Sequence, residues 1–233
     1  MKQRDLSVVI PARNEAEGLY GVVSRVLDDL DGIDFEVWLI DDYSTDETQE
    51  VMRRLASEHR GTVRVAVNGG TPGIGVACRL GLTCASGEYV CFYMSDESEE
   101  PASIRSLFYA VCFSHEDAAF GNRWSGASIE GYPLLKRVLN RIGNRAAAVL
   151  IGEGYTDWTN IFKLYRADAL RAVPLTSTGF EIGLEMSLKV VKSGAKFAVV
   201  DTPWKERKSG SSKMRLFKNA WRCLGVLWRE TMR

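Results

Sequence analysis

Four carboxylate side chains lie within five residues at the end of one apolar run, residues 88–94. They are Asp96, Glu97, Glu99 and Glu100. Carboxylates in this position can bind a hard cation or accept hydrogen bonds from ligand hydroxyl groups. They also favour the first turn of a helix, and Pro101 begins a predicted helix here. The stretch is therefore either a ligand site or a solvated helix cap, and the neighbouring elements must decide between them.

Acidic residues also follow two earlier predicted strands. The runs 6–10 and 35–40 are β-branched and apolar, as in buried strands, and lead to Glu15 and Asp42. Strands and helices alternate up to about residue 100, which predicts a mostly parallel, doubly wound α/β sheet. The carboxyl ends of parallel strands meet at one edge, so Glu15, Asp42 and Asp96 are predicted to line one crevice. This convergence favours a ligand site, with Asp96 as its main acid and Glu97, Glu99 and Glu100 as supporting, capping or surface residues.

The second half of the chain is less regular. Helices are predicted over 101–114, 134–151 and 180–192, and strands over 118–120 and 196–200. Residues 157–166 alternate between apolar and polar, which predicts a strand or hairpin that carries Asp157, Lys163 and Arg166. No internal repeat or clear linker divides the chain.

The C-terminal segment is basic and amphipathic. From Pro203 onward nine Lys or Arg residues stand against two Glu residues, a net charge of +7, so the rest of this neutral chain carries −7. A helix is predicted over 213–233, and its apolar face is formed by Phe217, Trp221, Leu224 and Trp228. Such a helix either lies in a membrane interface or packs its apolar face on the core.

Cysteine and histidine usage excludes several classes of protein. The five cysteines include no CxxC pair, which indicates reduced thiols in a cytosolic setting rather than a zinc site or a disulfide framework. Only two histidines are present, so chemistry that relies on a histidine base is not expected. No apolar run has the length of a membrane span, and residues 1–5 do not resemble a signal peptide.

Five segments match one known family in order along the chain. They are residues 9–15 (VIPARNE), 40–48 (IDDYSTDET), 121–124 (GNRW), 157–166 and 207–213. Through them the chain resembles family 2 glycosyltransferases of the GT-A fold, specifically the dolichyl- or polyprenyl-phosphate mannose (hexose) synthases. The resemblance implies one glycosyltransferase domain over 1–233. Its expected parts are a nucleotide-binding half to about residue 100, an acceptor half to about 212, and the amphipathic helix.

The resemblance implies a donor site for a nucleotide-diphosphate sugar of the GDP-mannose or UDP-glucose type. The implied donor-binding residues are Pro11, Arg13, Glu15, Ile40, Asp42, Ser95 and Asp96. Mg²⁺ or Mn²⁺ would bind Asp96, with Ser98 at the neighbouring ligand position. The chain departs from the family at two positions, since Met94 replaces the first acid of the usual DxD motif and Arg13 replaces a common aromatic residue.

The implied reaction is transfer of the hexose to polyprenyl or dolichyl phosphate with inversion at the anomeric carbon. A lipid phosphate is already an anion, so it needs a cationic cradle rather than a base. The implied cradle is Arg123, Lys163, Arg207 and Lys213. Asp96, Arg123 and Glu185 are the implied catalytic residues, and Glu185 is either a base for a hydroxyl acceptor or the partner of a cationic side chain.

We expect a cytoplasmic protein, held peripherally at the inner face of the membrane by residues 213–233. A membrane-spanning partner subunit is a further candidate partner, and nucleic acid is not an expected one. Two other functions remain open. One keeps the fold and donor but transfers to a saccharide or protein hydroxyl, and the other is a non-catalytic sugar-nucleotide-binding subunit, for which Met94 is the argument.

Overall fold

A computed structural model describes residues 4–96, 98–124, 129–130, 134–205 and 216–231. The strands in these ranges are β1 (Arg4–Ala12), β2 (Phe35–Asp41), β3 (Val63–Val67), β4 (Gly87–Phe92), β5 (Ala118–Asn122), β6 (Ile129–Glu130), β7 (Lys163–Arg166), β8 (Phe197–Asp201) and β9 (Trp204–Lys205). The helices are α1 (Ala16–Asp29), α2 (Thr48–Glu58), α3 (Ile74–Cys84), α4 (Ala102–Ser114), α5 (Leu134–Ile151), α6 (Ala167–Arg171), α7 (Ile182–Lys192) and α8 (Leu216–Thr231).

Seven strands form one sheet in the order β3-β2-β1-β4-β7-β5-β8. β1 pairs in parallel with β2 and β4, so that Val8 lies beside Val37 and Cys91. β7 is antiparallel to both β4 and β5, and β8 is parallel to β5. The predicted mostly parallel, doubly wound α/β sheet is therefore confirmed, and the carboxyl ends of β1, β2 and β4 lie at one edge.

Two apolar clusters cover the two faces of the sheet. On one face, α1, α2 and α4 pack through residues such as Leu19, Met52 and Leu107. On the other face, α3, α5, α6, α7 and α8 contribute Ala77 and Val226, among others. Each fully buried Val, Leu or Met side chain contributes about 1.5–3 kcal/mol relative to leaving it exposed. The strands at the carboxyl edge are thus held by a core on both sides.

The structure corrects the prediction for residues 157–166. Only Lys163–Arg166 is a strand, and Asp157 to Asn160 form a turn in which the Asn160 N–H donates to the Asp157 carbonyl oxygen at 3.1 Å. The Lys163 amine donates to the carbonyl oxygens of Trp158 and Asn160, which ties this turn to β7. The alternation of apolar and polar residues over 157–166 therefore does not correspond to one long strand.

Two further details differ from the predicted elements. Ile129–Glu130 pairs in parallel with Trp204–Lys205 to form a small second sheet, which no sequence pattern indicated. The last helix is described over Leu216–Thr231, so its predicted first residues, 213–215, and last residues, 232–233, lie outside the described ranges. All five cysteines are free, as predicted.

Candidate active site

The carboxylate of Asp42 is held at the end of β2 by two neighbouring loops. Its Oδ1 accepts hydrogen bonds from the Asn68 side-chain amide at 2.8 Å and from the Gly73 N–H at 2.9 Å. The Asp42 N–H donates to the Ala12 carbonyl oxygen at 2.9 Å, which joins the ends of β1 and β2. Asp42 is buried, so its carboxylate has one orientation at this edge.

The loop after β1 is tied to the loop after β2. The Asn14 side-chain oxygen accepts a hydrogen bond from the Thr45 N–H at 2.7 Å, and the Glu15 N–H donates to the Thr48 hydroxyl at 2.9 Å. Asn14 has a left-handed backbone conformation, with φ of 53°, which turns the chain over the edge. These bonds place Glu15 close to the end of β2, while the neighbouring Arg13 is exposed to solvent.

Pro11 and Ile40 form the floor beneath these loops. They are register partners on β1 and β2, and both are buried. The Ser95 hydroxyl, just beyond β4, donates to the Pro11 carbonyl oxygen at 3.3 Å. The three predicted strand exits are therefore brought together, and the predicted donor-binding residues share one edge of the sheet.

The acidic stretch after β4 folds back on itself. The Ser98 N–H donates to Asp96 Oδ1 at 3.2 Å, and the Tyr93 hydroxyl donates to the Glu99 carbonyl oxygen at 2.6 Å. Glu100 is exposed and pairs with Lys205 at 3.7 Å. Asp96 and Ser98 are thus neighbours, as a shared role would require, although their role as metal ligands stays a prediction.

Glu99 is buried, which the sequence did not indicate. Its side chain is 4% exposed and lies near Arg123, Asp96 and Asp157. Burial raises the pKa of Glu99 to about 8, the neighbouring carboxylates add to this, and Arg123 opposes it. The carboxyl group is therefore largely protonated at neutral pH, unlike that of a surface glutamate.

Arg123 and Asp157 form a buried ion pair at the end of β5. Arg123 Nε donates to Asp157 Oδ2 at 2.8 Å, and an Nη donates to Oδ1 at 2.7 Å. The Arg123 backbone N–H adds a third bond to the same carboxylate at 3.1 Å. A bidentate pair of this kind fixes the plane of the guanidinium group. Asp157 therefore positions Arg123 at the edge of the site.

Three guanidinium groups surround the ring of Trp124. The guanidinium carbons of Arg123, Arg137 and Arg141 lie 5.8, 5.9 and 5.5 Å from the ring centroid. Cation–π contacts stabilise such an arrangement, because the ring face is negative. Sequence reasoning missed Arg137 and Arg141 as site residues, although their spacing of four on a predicted helix was a visible signal. The positive charge beside the site thus comes partly from α5.

Lys163 does not belong to the predicted phosphate cradle. Its amine is fully buried and donates to the Trp158 and Asn160 carbonyl oxygens and to the Ser187 hydroxyl, at 2.8, 2.6 and 2.8 Å. Burial holds the pKa of Lys163 well below its usual range. An ammonium group has three donors, and all three are used inside the protein. We correct the prediction: Lys163 supports the turn that carries Asp157 and does not bind phosphate.

Glu185 is likewise not placed to act as a base. Its carboxylate is buried and accepts bonds from the Thr176 N–H, the Ser177 N–H and the Lys189 amine. Burial alone would raise the pKa of Glu185, but these bonds outweigh it and lower the pKa to about 2. Of the two roles considered for Glu185, partner of a cation is the one the geometry supports. Glu185 is therefore no longer expected to be a catalytic residue.

Three predicted or candidate site residues, Glu97, Arg207 and Lys213, lie outside the described residues. Within the described ranges, no helix is both long enough and apolar enough to span a membrane. The same ranges contain no group of three His, Cys, Asp or Glu side chains positioned to hold a metal ion.

A mostly parallel sheet whose carboxyl edge gathers these acids, with one antiparallel strand inserted, is an open α/β sheet of the kind that binds its ligand at this edge. The sequence matches the family model "Glycosyl transferase family 2" over residues 7–173, so the chain belongs to this family.

Two curated relatives are similar over most of the chain. A dolichol-phosphate mannosyltransferase of Pyrococcus furiosus is 28% identical over 90% of this chain, and the match covers 59% of the relative. A polyprenol monophosphomannose synthase of Mycolicibacterium smegmatis is 30% identical over 91% of this chain and 81% of the relative. The chain thus spans only about three-fifths of the Pyrococcus protein.

A solved structure agrees with the fold. Glucosyl-3-phosphoglycerate synthase of Mycobacterium tuberculosis, crystallised with Mn²⁺, uridine diphosphate and glucosyl-3-phosphoglycerate, superimposes with a TM-score of 0.76 at 20% identity. The match covers 98% of this chain and 80% of the synthase. The predicted GT-A fold is confirmed.

Proposed function

We propose that this chain transfers a hexose from a nucleotide-diphosphate sugar to the phosphate of a polyprenyl lipid at a membrane surface. The observation that carries the proposal is Arg123, which Asp157 fixes at the carboxyl edge beside the arginine-ringed Trp124. Such a cationic group suits an anionic phosphate acceptor. The names of the two curated relatives support the same acceptor class.

In the proposed reaction, an oxygen of the lipid phosphate attacks the anomeric carbon from the face opposite the diphosphate. A new carbon–oxygen bond forms, the bond to the diphosphate oxygen breaks, and the nucleoside diphosphate leaves with that electron pair. No proton has to be removed from the acceptor, so the site needs no general base. The internal hydrogen bonds of Glu185 are consistent with this.

The protein residues act by binding and orientation. Arg123 holds the acceptor phosphate, and its bidentate bond to Asp157 reduces the conformational freedom lost on binding. Asp42 accepts hydrogen bonds from the base or ribose of the donor. A divalent cation, when bound, stabilises the negative charge of the diphosphate. The described residues around Asp96 do not by themselves form a site for it.

The exposed face of α8 supports a membrane surface as the place of reaction. Trp221, Leu224 and Trp228 are 74%, 52% and 65% exposed, whereas Val226 and Leu227 are buried against the core. The helix therefore packs through a different face from the apolar stripe that the sequence revealed. Exposed tryptophans on a basic helix are typical of helices that lie in a membrane interface.

α5 packs beside α8 and extends this surface. Its exposed apolar residues are Val138, Ile142, Val149 and Leu150. Arg137, Arg141 and Arg145 are also exposed on α5. Basic side chains next to apolar ones suit anionic lipid headgroups over an acyl layer. We propose that both helices contact the bilayer, which brings Trp124 and Arg123 towards the lipid phosphate.

The acceptor is tested by assaying transfer from UDP-glucose and GDP-mannose to polyprenyl phosphate and to soluble saccharides. We expect transfer to the lipid phosphate alone. Arg123→Lys should raise the KM for the lipid about 10-fold or more, because lysine cannot form the bidentate bond. Arg54→Lys, at an exposed position on α2, serves as the matched control. Transfer to a soluble saccharide and none to lipid phosphate would exclude this proposal.

The membrane surface is tested by co-sedimentation with vesicles that contain anionic lipid. We expect the Trp221→Ser/Trp228→Ser double variant to lose most vesicle binding. Phe113→Ser is the matched control, since Phe113 is 83% exposed but lies on α4, on the other face of the sheet. Equal loss of binding in the control and the double variant would contradict an α8 contact.

Transfer to a hydroxyl group remains the second candidate, and Glu99 is the observation that favours it. Glu99 is buried beside Arg123 at this edge, and with a pKa of about 8 its carboxylate can accept a proton from a hydroxyl group only as the pH approaches 8. In that case Glu99→Gln should abolish transfer to the hydroxyl acceptor. For a lipid phosphate acceptor the same variant should keep turnover within about 10-fold of wild type, because no proton is removed.

A further inference from the structure

Ion pairs join α8 to two glutamates at the start of α7. Arg222 Nη1 lies 3.6 Å from Glu181 Oε1, and Glu181 directly precedes α7. Near the other end of α8, Glu230 lies 3.5 Å from the Lys189 amine, which pairs with Glu185 at 2.9 Å. Both glutamates are buried, whereas the Arg222 side chain is 38% exposed. The helix with the exposed tryptophans is therefore tied to α7 at two points.

The same two glutamates hold the backbone of residues 176–179. Glu181 Oε1 accepts a hydrogen bond from the Gly179 N–H at 3.0 Å. Glu185 Oε2 accepts hydrogen bonds from the first two N–H groups of the segment, at 3.0 and 2.7 Å. Gly179 lies directly against the Arg222–Glu181 pair, because a Cβ at this glycine would overlap both side chains. The position of residues 176–179 therefore depends on the contact between α8 and Glu181.

This segment also packs against the loop that orients Asp42. The Gly75 N–H donates to the Thr178 carbonyl oxygen at 3.0 Å, and a Cβ at Gly73 or Gly75 would overlap the backbone of residues 177–178. The Gly73 N–H donates in turn to Asp42 Oδ1 at 2.9 Å. Backbone meets backbone at these contacts, so no flexible side chain absorbs a displacement between them. A shift of Thr178 would therefore move a group that orients Asp42.

Contact with a lipid surface restrains α8 from its exposed side, where Trp221 and Trp228 lie. We propose that Glu181 is a positioning residue for the donor site, through which lipid contact of α8 strengthens nucleotide binding at Asp42. The membrane supplies part of the restraint on residues 176–179, so less conformational freedom is lost when the nucleotide binds. The inference rests on the proposed function, which supplies both the lipid surface and the donor nucleotide. Linkage then requires the nucleotide to strengthen vesicle binding by the same factor.

Calorimetric titration of UDP and of GDP in Mg²⁺, with and without vesicles that contain anionic lipid, gives the first test. We expect vesicles to raise the affinity for the nucleotide that binds by about 5-fold or more. In co-sedimentation, the same nucleotide should raise the affinity of the wild-type protein for vesicles by an equal factor.

Variants of the ion pair give the second test, at vesicle concentrations that saturate each protein. Arg222→Gln and Glu181→Gln should lose the vesicle-dependent gain in nucleotide affinity, and Arg222→Lys should retain it because the charge opposite Glu181 remains. Arg229→Gln is the matched control, since it removes the same charge from an exposed position of α8 and should retain the gain. If a glutamine variant of the pair does not fold, the wild-type titrations still decide whether the two sites are coupled.

Three results would overturn the inference and leave the donor site in place. The first is a nucleotide affinity that vesicles do not change. The second is an affinity that vesicles lower, as expected if lipid phosphates draw Arg222 away from Glu181. The third is an equal loss of the gain in Arg222→Gln and Arg229→Gln, because the effect would then follow from the charge of α8 alone. Failure of both nucleotides to bind, or of the wild-type protein to bind vesicles, would overturn the proposed function as well.

Discussion

The Arg123 guanidinium donates two hydrogen bonds to Asp157, at 2.8 and 2.7 Å, in a part of the protein from which water is almost excluded. Removal of one partner from a buried ion pair leaves an uncompensated charge and costs about 3–5 kcal/mol. The pair is therefore important for stability as well as for the orientation of Arg123.

We expect Asp157→Asn to be destabilised by about 3 kcal/mol and to lose at least 10-fold in kcat/KM for the lipid acceptor. The asparagine keeps the shape but not the charge, so Arg123 loses its fixed orientation. Urea denaturation and steady-state kinetics measure the two effects. Unchanged kinetics in a folded variant would show that Arg123 does not depend on Asp157.

Lys163→Met tests whether Lys163 stabilises the fold or binds the acceptor phosphate. The variant should be destabilised by about 2 kcal/mol, because the hydrogen bonds to Trp158, Asn160 and Ser187 are lost. That change corresponds to a fall in Tm of about 4–8 °C for a protein of this size. Lys205→Met, at a half-buried residue whose side chain is 43% exposed, should change Tm by about 1–2 °C at most. A raised acceptor KM with an unchanged Tm would restore Lys163 to the phosphate cradle.

Glu185 makes the free energy of unfolding decrease as the pH falls through the acid range. Its folded pKa of about 2 lies below its ordinary value of 4.5, so its contribution is present above pH 4.5 and is lost as the pH falls towards 2. The difference corresponds to about 3 kcal/mol. We expect the free energy of unfolding of wild type to fall faster than that of Glu185→Gln between pH 5 and 3. Parallel pH profiles in urea denaturation would contradict this.

Glu99 should make the free energy of unfolding decrease as the pH rises, which is opposite to the effect of Glu185. Its folded pKa of about 8 lies above 4.5, so the folded state holds a proton that the unfolded state releases, and stability is lost as the pH rises from 4.5 to 8. Glu99→Gln removes this loss and should be more stable than wild type at pH 7, by on the order of 3 kcal/mol. The advantage should shrink towards pH 5. An advantage that is independent of pH would exclude ionisation of Glu99 as its cause.

Local sequence patterns predicted much of the sheet and its acidic edge. The runs 6–10 and 35–40 are apolar and β-branched because both faces of these strands are covered by helices. The residue types of these runs indicate this two-sided burial directly. The order of strands and helices, which brings Asp42 and Asp96 to one edge, can also be predicted from the sequence. The apolar stripe of Trp221, Leu224 and Trp228 was also visible.

The tertiary structure decided what each charged side chain does. Lys163 and Arg123 look equivalent in sequence, yet one is enclosed by carbonyl oxygens and the other lies at the edge of the site. Glu99 and Glu100 are adjacent, and only Glu99 is buried. The solvation and partners of a charged group depend on residues that are distant along the chain, so no local pattern contains them. For the same reason only the structure revealed which face of α8 is exposed.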